Sequence, residues 1–150
     1  MTDMPATARF SLPLLATAQA QKEVTHNEAL SFIDALLHPV IEGGPVAAPP
    51  ASPEAGQCWL VAAGAGGAWA GRGGELAICT AGGWRFVAPR HGMRLVRRVD
   101  GAWLLYDGED WVIPPSIAAP AGGATIDAEA RSALAAVIHL LNAHGLLITG

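Results

Sequence analysis

The residues of this chain with the chemistry to act on a ligand fall into three groups: the run His26-Asn27-Glu28, the five tryptophans, and a band of arginines between positions 85 and 98. His26, Asn27 and Glu28 are consecutive, whereas side chains that share a metal on a helix lie three or four positions apart. Thr25 and Glu28 instead have the spacing of a capping box, in which the threonine caps a free amide and the glutamate reaches back. The run is therefore expected to open a helix. Cys58 and Cys79 have neither a Cys-x-x-Cys arrangement nor a histidine at ligand spacing, so no zinc knuckle, metal or cofactor is expected. There is no Gly-x-Ser-x-Gly, no His-Glu-x-x-His and no phosphate loop of the Gly-Lys-Ser type. The glycines of residues 64–74 do not follow the dinucleotide fingerprint. Glu109 and Asp110 could serve a glycosidase only from one face, and adjacent strand residues point to opposite faces. No catalytic residue is assigned, and the expectation is a protein that is not an enzyme.

The tryptophans could stack on sugar rings or fill a core that has only three phenylalanines. Trp59 has apolar neighbours and is expected in the core. Trp69 lies in the glycine-rich run Gly64-Ala-Gly-Gly-Ala-Trp-Ala-Gly-Arg-Gly-Gly74 and is expected to be exposed. Arg85, Arg90, Arg94, Arg97 and Arg98 are five of the nine basic residues, and Asp100, Asp107, Glu109 and Asp110 follow them directly. Side-by-side strands would pair these charges. The alternative is an anion-binding patch, for which Trp69, Arg94 and Arg97 are the glycan-binding candidates.

These groups need elements to hold them, and 150 residues suffice for one domain-sized core. A net charge of −4 argues against a nucleic-acid partner, whose phosphates demand a basic face. No stretch has the apolar length of a membrane span. The opening residues lack the charged and apolar regions of a signal peptide, so synthesis in the cytoplasm is expected. Eighteen glycines and eleven prolines indicate many turns and short strands.

The composition divides the chain into five stretches. Residues 1–41 hold the apolar arm Leu12-Pro-Leu-Leu15, read as extended because proline biases its predecessor away from the helix. A helix follows, with Leu30, Ile33, Leu36 and Leu37 on one face and Pro39 as its stop. Residues 42–54 read as a Pro/Gly-rich linker, not a packed element. Residues 55–113 read as a tryptophan-rich antiparallel meander or small barrel, with strands at 57–62, 75–80, 84–87, 93–99, 102–106 and 111–113. Residues 114–125 form a second linker. Residues 126–150 carry a helix capped by Asp127 and ended by Gly145. Its stripe of Leu134, Val137, Ile138 and Leu141 is too apolar for a solvated helix, which makes it an oligomerisation candidate. The fold class is α+β, mainly β.

The segments Leu12-Pro-Leu-Leu15, Gln19-Ala-Gln-Lys22 and Val24-Thr-His-Asn-Glu-Ala-Leu30 are the most specific in the chain. With looser matches at Gly83-Trp-Arg-Phe-Val-Ala-Pro89 and Ile126-Asp-Ala-Glu-Ala-Arg131, they resemble an uncharacterised family of alphaproteobacterial prophage and gene-transfer-agent head-spike and tail-fibre proteins. That family has no established catalytic residues to carry over. The resemblance implies a structural subunit of a phage-like particle, a head-spike base, adaptor or fibre component in host attachment, assembled in the cytoplasm and released by lysis. Expected partners are copies of the chain, capsid or other particle proteins, and host capsular polysaccharide. A spike base at a capsid vertex would set five copies, a fibre three. Leu12, Leu14 and Leu15 are the particle-anchoring candidates. A carbohydrate-binding module for capsular polysaccharide is the alternative.

Overall fold

The computed structural model describes residues 5–16, 22–124 and 126–148. They contain two helices and eight short strands, an α+β, mainly β fold. The chain divides into two compact units, Met1–Pro89 and Arg90–Gly150. The meander expected as one body over 55–113 is thus shared between them. The break falls after β5, where Pro89 cannot donate to a ladder and the chain leaves the first sheet.

In the first unit, α1 (Lys22–Leu37) is followed by the two-residue β1 (Val40–Ile41) and by β2 (Gly43–Val46), β3 (Cys58–Val61), β4 (Leu76–Thr80) and β5 (Gly83–Val87). β2 to β5 lie side by side in that order, β2 parallel to β3 and the rest antiparallel. This sheet is open, not a closed barrel. The register, with Trp59 opposite Ala77 and Cys79 opposite Trp84, sorts its side chains by period two. One face carries Trp59, Val61, Ala77, Cys79, Trp84 and Phe86; the other carries Cys58, Leu60, Leu76, Ile78, Arg85 and Val87. The first face is covered by Trp69 from the loop between β3 and β4, and the tryptophans meet edge-on, Trp69 to Trp84 at 5.1 Å between ring centroids and Trp59 to Trp84 at 5.6 Å.

Two expectations change here. Residues 43–46 of the supposed linker are the strand β2, hydrogen-bonded beside β3. Gly44 makes this close approach possible: its φ is +135°, and a Cβ there would lie 2.7 Å from the Leu60 carbonyl oxygen. The capping box does not form, because α1 is already helical at Lys22 and Thr25 sits inside it. Glu28 is therefore free to reach across to the sheet, where it meets Arg85 Nε at 2.6 Å.

In the second unit, β6 (Arg94–Arg97), β7 (Trp103–Tyr106) and β8 (Trp111–Val112) form an antiparallel run joined by tight turns. Leu95 and Leu104 pair on its buried face, both fully inaccessible. An exposed stretch then leads to α2 (Ala128–Ala143). Asp127 caps it, its carboxylate accepting the Ala130 amide at 2.9 Å. Gly145, at φ +68°, closes it: the Gly145 amide donates to the Asn142 carbonyl and the Leu146 amide to the Leu141 carbonyl, a Schellman pair. The chain then returns to the sheet. The Trp103 amide donates to the Gly145 carbonyl, the Ile148 amide donates to the Pro115 carbonyl, and Leu147 is buried. The segment after α2 is thus tied to β7 and to Pro115, which closes the base of the excursion that carries the helix.

Candidate functional site

The Leu12–Leu15 arm is not free: Pro13 forms an antiparallel bridge with Ala6. The Thr7 amide donates to the Leu12 carbonyl, the Leu14 amide to the Pro5 carbonyl, and Ser11 takes a positive φ of 51°, so residues 5–14 fold into a small hairpin. Proline at position 13 fits such a hairpin edge, where no amide is needed. A carboxylate on α1 fastens it. Asp34, only 4% exposed, accepts the Thr7 hydroxyl at 2.7 Å, the Phe10 amide at 2.7 Å and the Arg9 amide at 2.9 Å. The Arg9 guanidinium donates to the carbonyls of Ala35 and His38, capping the last turn of α1 where a positive charge is favoured. Further on, Asn27 brackets Leu15 by accepting its amide and donating to its carbonyl. Of the anchoring candidates, Leu12 and Leu14 are half-buried and Leu15 is exposed. The Thr7–Arg9–Asp34 knot was not foreseen; an acid on the inner face of an apolar helix was the available signal.

Beside this knot lies a pocket of about 130 Å³ whose walls include Asp34 and Cys79. The Asp34 oxygens are already engaged, by the Thr7 hydroxyl and the Arg9 and Phe10 amides. Burial pushes the Cys79 thiol up from its ordinary value and the Cys58 thiol up to about 11, with the Arg9 charge offsetting part of the latter, so both are protonated near neutral pH. Cys58 and Cys79 project from opposite faces of the sheet. Among the described residues, no cluster of His, Cys, Asp or Glu has the makings of a metal site.

Of the three glycan-binding candidates, Trp69 belongs to the first unit and Arg94 and Arg97 to the second. Trp69 is fully buried, overturning its expected exposure. Its glycine-rich surroundings let the loop fold over the sheet, with a 3₁₀ turn at Gly67–Trp69 that drives the indole inward. Arg97 turns back on Asp100, 2.6 Å away, and the pair fixes both charges: hydrogen bonding to Arg97 holds the Asp100 carboxyl below its usual range and raises the Arg97 guanidinium. Arg94 remains exposed. It shares the outer face of the β6–β8 run with Val96, Trp103, Leu105 and Val112, as the pairs Arg94–Leu105, Val96–Trp103 and Leu105–Val112 require. Trp103, 39% exposed, is the accessible indole of this face.

The oligomerisation stripe is on view. Leu134 and Val137 are 49% and 52% exposed, Ile138 and Leu141 half-buried, and Leu140, which the stripe omitted, is 56% exposed. α2 has no buried residue along its length.

A family model described as a protein of unknown function (DUF2793) matches residues 26–112. The chain belongs to this family. The DUF2793 span runs from the second turn of α1 to the end of β8, so it takes in all eight strands and leaves the N-terminal hairpin and α2 outside. No curated protein matches the chain. No helix among the described residues is long and apolar enough to cross a membrane.

Proposed function

We propose that this DUF2793 protein is a homo-oligomeric structural subunit of a phage-like particle, a spike base, adaptor or fibre component that assembles through α2. The observation that carries the reading is the apolar surface of α2. Leu134, Val137 and Leu140 stand half in water on a helix that has no fully buried residue. Covering their exposed halves would contribute about 3 kcal/mol per copy at the usual value for apolar burial. A single helix pair gains little beyond the cost of association, while a ring or bundle gives each helix two neighbours. The tie of the chain just after α2 to Trp103 and Pro115 reduces the ordering cost of such packing. The particle assignment rests on the resemblance of residues 12–37 to head-spike and tail-fibre proteins. Anchoring would then fall to the hairpin and the residue after it, whose exposed large apolar side chains are Phe10 and Leu15, and not to a free strand.

The test is the sedimentation mass of the full chain beside Leu134→Asp with Val137→Asp. Both positions are solvent-facing, so the fold should survive. A wild-type oligomer of three or five copies that the double variant reduces to monomer supports the reading; a monomeric wild type, or an unchanged mass in the variant, rejects it.

A second reading, carbohydrate binding, draws on the outer face of β6–β8, where an exposed Trp103 and Arg94 pair a flat apolar surface with a cation. Titration of Trp103→Ala against purified acidic polysaccharide checks it, with loss of binding expected; wild type that does not bind rejects it.

A further inference from the structure

The N-terminal hairpin is attached to the rest of the first unit in the way a peptide ligand is attached to its receptor. Of residues 5–15 only Thr7 is buried; Arg9, Leu12 and Leu14 are half-buried and the others are exposed. Apolar burial therefore contributes little to the attachment. Directed polar contacts hold it instead. The Thr7 hydroxyl donates to Asp34 at 2.7 Å and accepts the Leu12 amide at 2.9 Å, so one side chain both closes the hairpin and docks it. The same carboxylate reads two consecutive main-chain amides, those of Arg9 and Phe10. The Arg9 guanidinium reaches the carbonyls of Ala35 and His38 at 2.8 and 2.7 Å, where a helix end leaves acceptors without partners of its own.

The floor beneath the hairpin is shaped to it. Gly56 has a φ of +88°, and a Cβ there would lie 2.9 Å from the Ala8 Cβ and 3.0 Å from the Arg9 Cγ, so the close approach requires glycine. The fit is nevertheless not sealed. The cavity of about 130 Å³ is lined both by Ala6, Ala8 and Leu14 of the hairpin and by Gly56, Ile78 and Thr80 below it. Atoms that face a gap forfeit their packing contacts, and a segment with few buried contacts is one that opens locally while the core stays folded. The attachment is thus specific in its chemistry and sparing in its packing.

We propose that Asp34, Gly56 and the carbonyls at the end of α1 form a seat for the Thr7-Ala-Arg-Phe10 turn as a peptide ligand, and that the seat takes this segment from a second copy of the chain as well as from its own. The ligand is the one the structure shows in place. Five bonds fix it, and each joins residues 24 to 29 positions apart, so the seat reads the sequence of the hairpin and not its connection to the body. Exchange between copies remakes every bond that it breaks, which is what makes swapping of an identical element a low-cost route to association. The exchange uses no residue of α2 and holds whether or not the chain belongs to a particle.

The test uses full chains that all carry Leu134→Asp with Val137→Asp, so that α2 adds nothing to the measured mass. The receiver also carries Thr7→Ala with Arg9→Ala, which removes three of the five bonds of its own hairpin and leaves the seat intact. The probe is the fluorescent peptide Pro-Ala-Thr-Ala-Arg-Phe-Ser-Leu-Pro-Leu-Leu, the sequence of residues 5–15, followed by anisotropy. It should bind the receiver at least about tenfold more tightly than the chain with an intact hairpin, whose own segment competes at high effective concentration. Alanine at both the threonine and the arginine of the peptide should weaken binding by about tenfold or more, and Asp34→Asn in the receiver by about tenfold. Tryptophan emission checks that the Trp59, Trp69 and Trp84 core of each variant is folded. Mixing the receiver with a chain that has an intact hairpin and Asp34→Asn should give a 1:1 complex by sedimentation that neither forms alone. Three results would overturn the proposal: no binding at millimolar peptide, binding unchanged by Asp34→Asn, or a mixture that stays monomeric above the dissociation constant of the peptide.

Discussion

Replacing Asp34 by alanine should cost the first unit about 3–5 kcal/mol of stability. The carboxylate takes three hydrogen bonds at 2.7, 2.7 and 2.9 Å from a position only 4% exposed. Its loss strands the Thr7 hydroxyl and the Arg9 and Phe10 amides. Each unsatisfied buried or part-buried group costs about 1–3 kcal/mol, with the higher end for bonds to a charged acceptor. Part of this is recovered because the two amides lie near the surface and water can reach them. Asp34→Asn keeps the acceptor for two donors but turns an NH2 toward the third, so about 1–2 kcal/mol is expected. Thr7→Ala removes one bond and should cost about 1 kcal/mol. Urea denaturation followed by tryptophan emission suits the measurement, because Trp59, Trp69 and Trp84 all report on this unit. A double-mutant cycle between Thr7 and Asp34 isolates their coupling, expected at about 1–2 kcal/mol for a charge-assisted bond. A change below about 0.5 kcal/mol in Asp34→Ala, within the range of ordinary surface substitutions, would refute the knot. The same reasoning means that truncation through residue 24 should lower stability as well as any attachment.

Three further outcomes follow from the geometry. Gly145→Ala should destabilise the second unit by about 2 kcal/mol or more, since φ is +68° and the added Cβ would run into the Gly101 carbonyl; thermal melting reads it, and an unchanged midpoint would show that the return of α2 to the sheet is loose. Cys58 and Cys79 should resist an aromatic disulfide reagent at pH 8 in the folded chain and react at once in denaturant, because both thiols are buried and raised; fast native labelling would contradict this. The Asp100 carboxyl is held below its usual 3.8, chiefly by its bond to Arg97. Its contribution is therefore full above pH 4 and is lost as the pH falls through the depressed value, so Asp100→Asn should flatten the acid limb of stability against pH and leave its shape near neutrality unchanged.

Much of the architecture was legible because it follows from local rules. Asp127 and Gly145 bound α2 by cap chemistry, and the six strands past residue 55 follow from alternation between glycine turns. What escaped depends on contacts distant in sequence. β2 hides in a run of proline and glycine because its partner strand and the close approach to Leu60, not its own propensity, make it a strand. Trp69 is read as exposed from its glycine neighbours, yet those same glycines permit the turn that buries it. Thr25 and Glu28 match a capping box that an earlier helix start overrides, and Glu28 finds Arg85 instead, 57 positions away. The arginines and the acids after them were read as pairing across neighbouring strands; Arg97 instead turns back on Asp100 three positions away, within one turn. The α2 stripe was visible from its spacing, but the exposure of Leu134 and Val137 beside the half-buried Ile138 and Leu141 was not.

The most direct test of the particle assignment is electron microscopy of purified phage-like particles from a producing strain, comparing the intact gene with its deletion and with gold labelling of a tagged copy. The account predicts label at discrete sites on the particle, and loss of a spike or fibre density, in whole multiples of three or five copies, when the gene is removed. Particles that are unlabelled and unchanged in structure without the protein would contradict it.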